Sequence, residues 1–382
     1  MIGACVIAAA IVLPLASRAV SRSWHDDSLW ANSLRSLGGL EMPFDFAIFL
    51  HAAEEVRAGD SPYVDPNDIG EDAAAPYAYP PLLAIVLIPA TALPDTVAGS
   101  SPLGVLVSLL LVGCVVGTLL VLDVRDWRCY PVALLYPPML ENIEYGAVGP
   151  LLALLVALAW RYRARVWPVS AAVGAAVVLK VFLWPLLVWL AATRRWKATA
   201  GALGVALGLA LVSWAAIGFR GLIEYPELLR RLSDLEAENS YSAYAIAVTA
   251  GLPGAGAQVV VAALAGGLLV AGWRAAGSEG DVGESDRRAL TLMLAAGFVL
   301  TPILWLHYLV LLVVPIALAR PRLSALWLVP LGLTVFEALD WYRGWPSGDW
   351  RALASVAIVT AIVFGVSSLP SRTAERRLAA WL

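Results

Sequence analysis

Long apolar runs separated by short polar segments dominate the chain. They cover residues 2–17, 79–93, 102–122, 131–140, 146–160, 167–179, 181–193, 198–218, 244–271, 289–304, 305–319, 323–339 and 351–368. A helix needs about 20 apolar residues to cross a bilayer, yet several of these runs are shorter or are interrupted by proline or a charge. The pattern predicts an all-α, polytopic integral membrane protein with about 11–13 transmembrane or re-entrant helices, some of them broken.

Composition agrees with this prediction. The chain has 382 residues, of which 60% are hydrophobic and 14% are charged, whereas a soluble domain carries about 25% charged residues. A soluble enzyme is therefore excluded. The three cysteines show no paired spacing, so we expect no disulfide framework and no zinc site. Scattered arginines make no basic face large enough for nucleic acid, and we expect neither a metal nor a cofactor.

Arginine sets the expected orientation. Six short clusters hold 16 of the 26 basic residues, and the positive-inside rule places such clusters in the cytoplasm. The clusters are Arg125/Arg128, Arg161/Arg163/Arg165, Arg194/Arg195/Lys197, Arg274/Arg287/Arg288, Arg320/Arg322 and Arg372/Arg376/Arg377. Loops 18–78 and 219–243 then face outward, and loops 161–165 and 272–288 face the cytoplasm. The segment 79–93 must be re-entrant or a partial span. We expect one domain over 1–382 in the plasma membrane, an uncleaved first helix at 2–17 and a cytoplasmic tail at 370–382.

The first outer loop contains the best candidate for a catalytic base. Residues 44–56 have apolar side chains at helical spacing and are followed by Gly59, which predicts an amphipathic helix on the bilayer surface. Asp45 lies between Phe44 and Phe46 at the start of this helix. Aromatic neighbours near an interface desolvate a carboxylate and suit it to general-base work. The alternative is a first-turn charge that favours the helix dipole.

Two further candidates interrupt apolar sequence. Lys180 divides an apolar stretch, and a lysine in such a place marks an ion pair or an anionic ligand; the alternative is a lysine that snorkels at a helix end. His307 follows the proline break at Pro302. It is either a hydrogen-bonded core histidine or a group that orients a phosphate or an acceptor hydroxyl.

The remaining candidates are polar and aromatic residues near the outer face. Glu141, Asn142 and Glu144 separate two short apolar runs, so they form either the outer mouth of a cavity or a plain polar loop. Tyr63 and Tyr79 close the first outer loop, where interfacial tyrosines commonly anchor a helix. Because the arginine bias places all of these residues with Asp45, Lys180 and His307 toward one side, we expect a single outward-facing active site.

The order of these features resembles a known family. The segments Phe44-Asp45-Phe46, Gly59-Asp60-Ser61-Pro62-Tyr63, Tyr79-Pro80-Pro81-Leu82, Leu179-Lys180 and Thr301-Pro302-Ile303-Leu304-Trp305-Leu306-His307-Tyr308 occur as they do in the GT-C membrane glycosyltransferases. More narrowly, the chain resembles glycosyltransferase family 87, the actinobacterial polyprenyl-phosphate-mannose-dependent α-mannosyltransferases.

The resemblance implies an inverting transfer of one sugar from a polyprenyl-phosphate donor to a glycolipid or envelope-glycan acceptor at the outer membrane surface. Asp45 would be the base, and Lys180 and His307 would bind the donor phosphate. Glu141, Asn142, Glu144, Tyr63 and Tyr79 would line the acceptor or sugar side. Two alternatives stay open: a transporter or flippase for a lipid-linked or anionic solute, and a structural subunit of an envelope assembly.

Overall fold

The computed structural model describes residues 35–37, 39, 42–69, 75–93, 101–236, 240–278, 281–332 and 357–366. Within these ranges the chain is helical and contains no strand, which confirms the predicted all-α class for the described residues. The predicted first helix at 2–17 and the tail at 370–382 lie outside them, as does most of the first outer loop before residue 42.

The helices follow one another closely. They are α1 (Phe44–Ala58), α2 (Leu82–Leu87), α3 (Pro102–Val121), α4 (Cys129–Leu134), α5 (Pro137–Tyr145), α6 (Gly149–Arg161), α7 (Val166–Leu179), α8 (Pro185–Ala192), α9 (Trp196–Ala216), α10 (Tyr225–Leu235), α11 (Ala243–Thr249), α12 (Gly254–Ala276), α13 (Val282–Leu300), α14 (Val313–Ala319), α15 (Ala325–Leu328) and α16 (Ala357–Val366). Short 3₁₀ segments lie at Pro66–Asp68, Ile88–Ala92, Val181–Leu183, Leu306–Leu312 and Val329–Leu331.

Three described helices are long and apolar enough to cross a membrane. These are α3, α9 and α12, with 20, 21 and 23 residues. Most of the other apolar runs form shorter or broken helices, as their prolines predict. The run 79–93, for example, is α2 continued by the 3₁₀ segment Ile88–Ala92, in which Pro89 occupies the first turn.

Two segments expected to be loops are largely helical. Residues 141–145 belong to α5, which begins at Pro137, because proline is well suited to the first position of a helix. The segment 272–288, expected to be a cytoplasmic loop, is mostly the end of α12 and the start of α13. The loop 219–243 also carries a helix, α10.

The helix predicted for residues 44–56 forms where the pattern places it, and its apolar face packs against the protein. Helix α1 ends at Ala58, and the left-handed Gly59 caps it by donating its N–H to the last turn. Phe46, Phe49 and Leu50 on its apolar face are buried against α2 and the following 3₁₀ segment. The protein itself covers these side chains, and the position of the helix at the bilayer surface stays a prediction.

Helices α7 and α9 pack closely through small residues, which is typical of membrane helix pairs. A Cβ atom at Gly174 would lie only 2.7 Å from the Val205 Cβ atom and 2.8 Å from the Ala202 carbonyl oxygen. Ser170 also donates a hydrogen bond of 3.0 Å to the Ala198 carbonyl across the same contact. The 14-residue α7 is roughly 20 Å long, so it separates two polar clusters at its two ends.

The first cluster surrounds the buried Asp286. Arg163, just before α7, places its Nε atom 2.9 Å from Asp286 Oδ2. Arg195, just before α9, binds both carboxylate oxygens, at 3.0 and 2.7 Å. The Trp189 ring N–H donates to Asp286 Oδ1 at 2.7 Å. This network joins three of the arginine-rich segments at one end of the molecule.

Candidate active site

The second cluster forms at the other end of α7, where the helix breaks at Lys180. The residue caps α7 in an extended conformation and precedes the 3₁₀ segment Val181–Leu183. Its Nζ atom lies 3.8 Å from the centroid of the Tyr79 ring and 4.4 Å from that of Tyr308, and it donates a hydrogen bond to the Tyr308 hydroxyl. The ammonium group of this half-buried residue is thus held between two aromatic rings by cation–π contacts.

His307 lies beside this aromatic pair in the 3₁₀ segment Leu306–Leu312. Its side chain is 4% exposed, and its Nδ1 atom lies 3.4 Å from Glu141 Oε2. The neighbouring Asn142, itself buried, donates to the backbone carbonyl of His307 at 2.7 Å. Helix α5 therefore contacts both the ring and the backbone of this histidine.

Asp45 reaches the cluster because the turn after α5 allows α1 to approach. Gly146 has a left-handed backbone with φ of 71°. A Cβ atom there would lie 2.7 Å from the Cβ atom of Phe46 and 2.8 Å from that of Pro43. Only glycine accommodates both this φ value and this contact. The first turn of α1, with Asp45 on it, is thereby seated against the end of α5.

The electrostatic surroundings of Asp45 connect it to the other polar residues. Burial raises the pKa of the Asp45 carboxyl above its ordinary value; His307 and Lys180 act in the opposite direction, and Glu141 raises it further. Desolvation gives the carboxylate a higher proton affinity, while the nearby cation keeps it available in its charged form. This combination suits a general base.

The two tyrosines predicted for the site, Tyr63 and Tyr79, lie at different distances from Lys180. Tyr79 forms one wall of the Lys180 cage and also contacts the Phe49 ring of α1, at 4.8 Å between centroids. Tyr63 lies one layer behind, where its hydroxyl donates to the Tyr79 carbonyl at 2.9 Å. The Tyr63 ring stacks on Trp214 at 5.3 Å, so it packs the first outer loop onto the end of α9.

Glu144 lies one helical turn from Glu141 on α5. Its backbone carbonyl accepts a hydrogen bond from Ser36 at 3.4 Å. The structure therefore gathers Asp45, Glu141, Lys180, His307 and Tyr79 around one site, with Asn142 supporting His307 from behind.

Tyr308 is the site residue that sequence reasoning missed. It binds the Lys180 ammonium group, and its ring stacks on Phe182 at 5.4 Å with an interplanar angle of 9°. The available signal was its position directly after His307, as a hydroxyl-bearing residue inside an apolar run.

The cluster thus combines a carboxylate, an ammonium group and an imidazole in a largely apolar setting. Such a set can remove a proton from a hydroxyl while stabilising an anionic leaving group. Among the residues that the structure describes, no three His, Cys, Asp or Glu side chains are grouped as metal ligands would be.

Comparison with known proteins identifies the chain at the level of a family. The model of glycosyltransferase family 87 matches residues 77–302, more than half of the chain, including Tyr79, Glu141 and Lys180. Asp45 and His307 lie outside the matched segment, so their place in the site rests on the geometry described above. No curated protein and no solved structure gives a match. The chain belongs to glycosyltransferase family 87.

Proposed function

We propose that this glycosyltransferase is an inverting enzyme of GT-C type. It moves one sugar, mannose, from a polyprenyl-phosphate donor to a glycolipid or envelope-glycan acceptor. The observation that carries the proposal is the packing that brings Asp45, Lys180 and His307 together from three distant parts of the chain. The first turn of α1 is seated against the end of α5 at Gly146, α5 contacts His307, and Lys180 binds the adjacent Tyr308. The transporter alternative is not favoured by membership of a glycosyltransferase family.

The proposed reaction is a single displacement at the anomeric carbon. The acceptor oxygen forms the new bond to this carbon while the bond from the carbon to the donor phosphate oxygen breaks. Asp45 takes the proton from the acceptor hydroxyl. The departing polyprenyl phosphate keeps the bonding electrons, and Lys180 and His307 stabilise its negative charge.

The two ends of α7 support an extracytoplasmic site in the plasma membrane. Arg163 and Arg195 cluster around Asp286 at one end, and the positive-inside rule favours the cytoplasm for that end. Lys180 and the rest of the candidate site lie at the other end, which then faces outward. The described parts of the loops 18–78 and 219–243 meet at this end, where Tyr225 of α10 donates to the Ala78 carbonyl at 2.9 Å.

A lipid-linked donor suits the position of the site. Polyprenyl phosphate carries a long apolar tail and a single charged group, so its phosphate stays near a membrane interface while the tail stays in lipid. The Lys180 ammonium group is placed among aromatic rings beside apolar helices, where one cation can meet one phosphate. Glu144 and Tyr63 remain predicted contacts on the acceptor side.

The test is a transfer assay with the purified chain in proteoliposomes. Radiolabelled polyprenyl-phosphate mannose is supplied with a membrane lipid extract, and polyprenyl-phosphate glucose serves as the matched donor control. We expect a labelled product from the mannose donor, dependent on the extract. Transfer from the glucose donor alone would overturn the sugar assignment. Movement of donor across the bilayer without any product would favour the transporter instead.

A further inference from the structure

His307 is buried without a hydrogen bond to its ring. Neither ring nitrogen has a hydrogen-bond partner among the described residues, and the side chain is 4% exposed. Buried polar atoms are nearly always hydrogen-bonded, so each exception needs an explanation. At a candidate active site, an unpaired nitrogen points to a group supplied by the substrate.

The two nitrogens have different surroundings. Nδ1 lies 3.4 Å from Glu141 Oε2, slightly longer than a hydrogen bond, as is common in catalytic contacts before substrate binds. Nε2 is on the far side of the ring from Nδ1. The carboxylate of Glu141 can therefore engage only one of the two nitrogens.

Helix α5 contacts the histidine from three positions. Asn142, next to Glu141, donates to the His307 carbonyl at 2.7 Å and to the Pro138 carbonyl at 2.6 Å. Tyr145, one turn later, meets the imidazole edge-on with ring centroids 6.1 Å apart. These contacts restrict both the backbone and the ring, so Glu141 acts on an imidazole that has little freedom to turn away.

We propose that Glu141 is a positioning residue for His307, and not a contact of the sugar. Its carboxylate accepts the Nδ1–H hydrogen bond, which fixes the tautomer and leaves Nε2 for the donor phosphate. When the phosphate binds, Nε2 takes a proton from water and donates it in a hydrogen bond to a phosphate oxygen. The Glu141 carboxylate then balances the positive charge of the imidazolium. This role rests on the proposed function, because it assumes that His307 faces the phosphate.

The first test reads the tautomer directly and needs no activity. With His25 and His51 replaced by glutamine, His307 is the one histidine left, and ¹⁵N-histidine NMR in micelles reports which nitrogen carries the proton. We expect Nδ1–H in the otherwise native chain and Nε2–H, the form that free neutral histidine prefers, in Glu141→Leu. Glu144→Leu, on the same helix, is the control and should leave the His307 signals unchanged. Nε2–H in the otherwise native chain would overturn the proposal.

Glu141→Gln provides a second variant that retains shape and a neutral acceptor. We expect it to keep the Nδ1–H signal but to lose the doubly protonated form when polyprenyl phosphate is added. Full protonation by polyprenyl phosphate in Glu141→Gln would contradict the charge-balancing role. Because these spectra are recorded without any transfer reaction, a failure of the transferase assay is distinguishable from a failure of this proposal.

A double-mutant cycle tests whether Glu141 acts through His307. Glu141→Leu should reduce sugar transfer up to about 10²-fold, the scale for a catalytic group displaced by about 1 Å. In a His307→Ala background the same substitution should cost nothing further, since the residue that it positions is gone. Independent losses that multiply in the double variant would show that Glu141 contacts the substrate itself.

Discussion

Replacing Asp45 by asparagine preserves the shape of the side chain but removes its capacity to take a proton. A general base contributes roughly 10²- to 10⁴-fold to a reaction rate, which corresponds to about 3–5 kcal/mol of activation free energy. We expect sugar transfer by Asp45→Asn to fall by this factor. Binding of the donor should be largely retained, because Lys180 and His307 hold the phosphate.

The structure limits what the substitution can do to folding. The N-cap residue of α1 is Pro43, and no side chain caps the helix by a hydrogen bond, so asparagine breaks no capping bond. The lost attraction between a first-turn carboxylate and the helix dipole is about 0.3–1 kcal/mol. Removing a desolvated charge acts in the opposite direction. A change in stability this small cannot account for a loss of two or more decades in rate.

The assay measures transfer and donor binding in the same preparation, together with thermal unfolding. Asp60→Asn is the matched control, since Asp60 is exposed and follows Gly59 in the same loop. Near-native transfer by Asp45→Asn would refute the assignment and favour the helix-dipole role. Donor binding that falls as far as transfer would show that Asp45 holds the donor and is not the base.

Four further outcomes are expected. Lys180→Met should raise the activation free energy of transfer by about 3 kcal/mol, the cost of losing one preorganised donor. An unchanged rate in steady-state kinetics would refute this. The base must be deprotonated to act, and the pKa of Asp45 is raised. In a pH–rate profile, the acidic loss of transfer should therefore begin at a higher pH than it would for an ordinary aspartate. Loss of the Lys180 charge should shift this acidic loss to a still higher pH. Asp286→Asn leaves Arg195 without its carboxylate and should destabilise the fold by about 3 kcal/mol. The unfolding temperature should fall, whereas the donor affinity of the folded protein should not change. A cysteine placed at Gly280 should resist impermeant reagents in whole cells, and labelling there would reverse the predicted orientation.

Local features of this chain were predictable because local physics decides them. The α1 helix follows from apolar spacing and from Gly59, which accepts the left-handed conformation that ends a helix. The break at Lys180 follows in the same way, from a charge in an apolar run with Pro185 close behind it. Each signal lies within a few residues of the structure that it produces.

The contacts of the site depend instead on tertiary packing. Asn142 supports a carbonyl that is 165 residues away, and the partners Lys180 and Tyr308 are separated by 128 residues. No spacing rule joins such distant positions. The same limit applies to α1: the pattern identified its apolar face, but only the packed structure shows that Tyr79 packs against Phe49 on that face.

The distribution of arginine gives a physical reason why the proposed phosphate site uses lysine and histidine. Unpaired arginines at the end that we propose to face outward would oppose the charge bias that orients a membrane protein. Arg230 and Arg231 do lie at that end, but both pair with Glu227 on α10 and lower the pKa of its carboxyl to about 2. Arg230 also pairs with Asp234 at 2.8 Å, so two carboxylates compensate the two guanidinium groups within one helix. A single ammonium group held by aromatic rings, with an imidazole beside it, supplies an anion site that carries less net positive charge than a cluster of unpaired arginines. Orientation and catalysis can therefore be satisfied together.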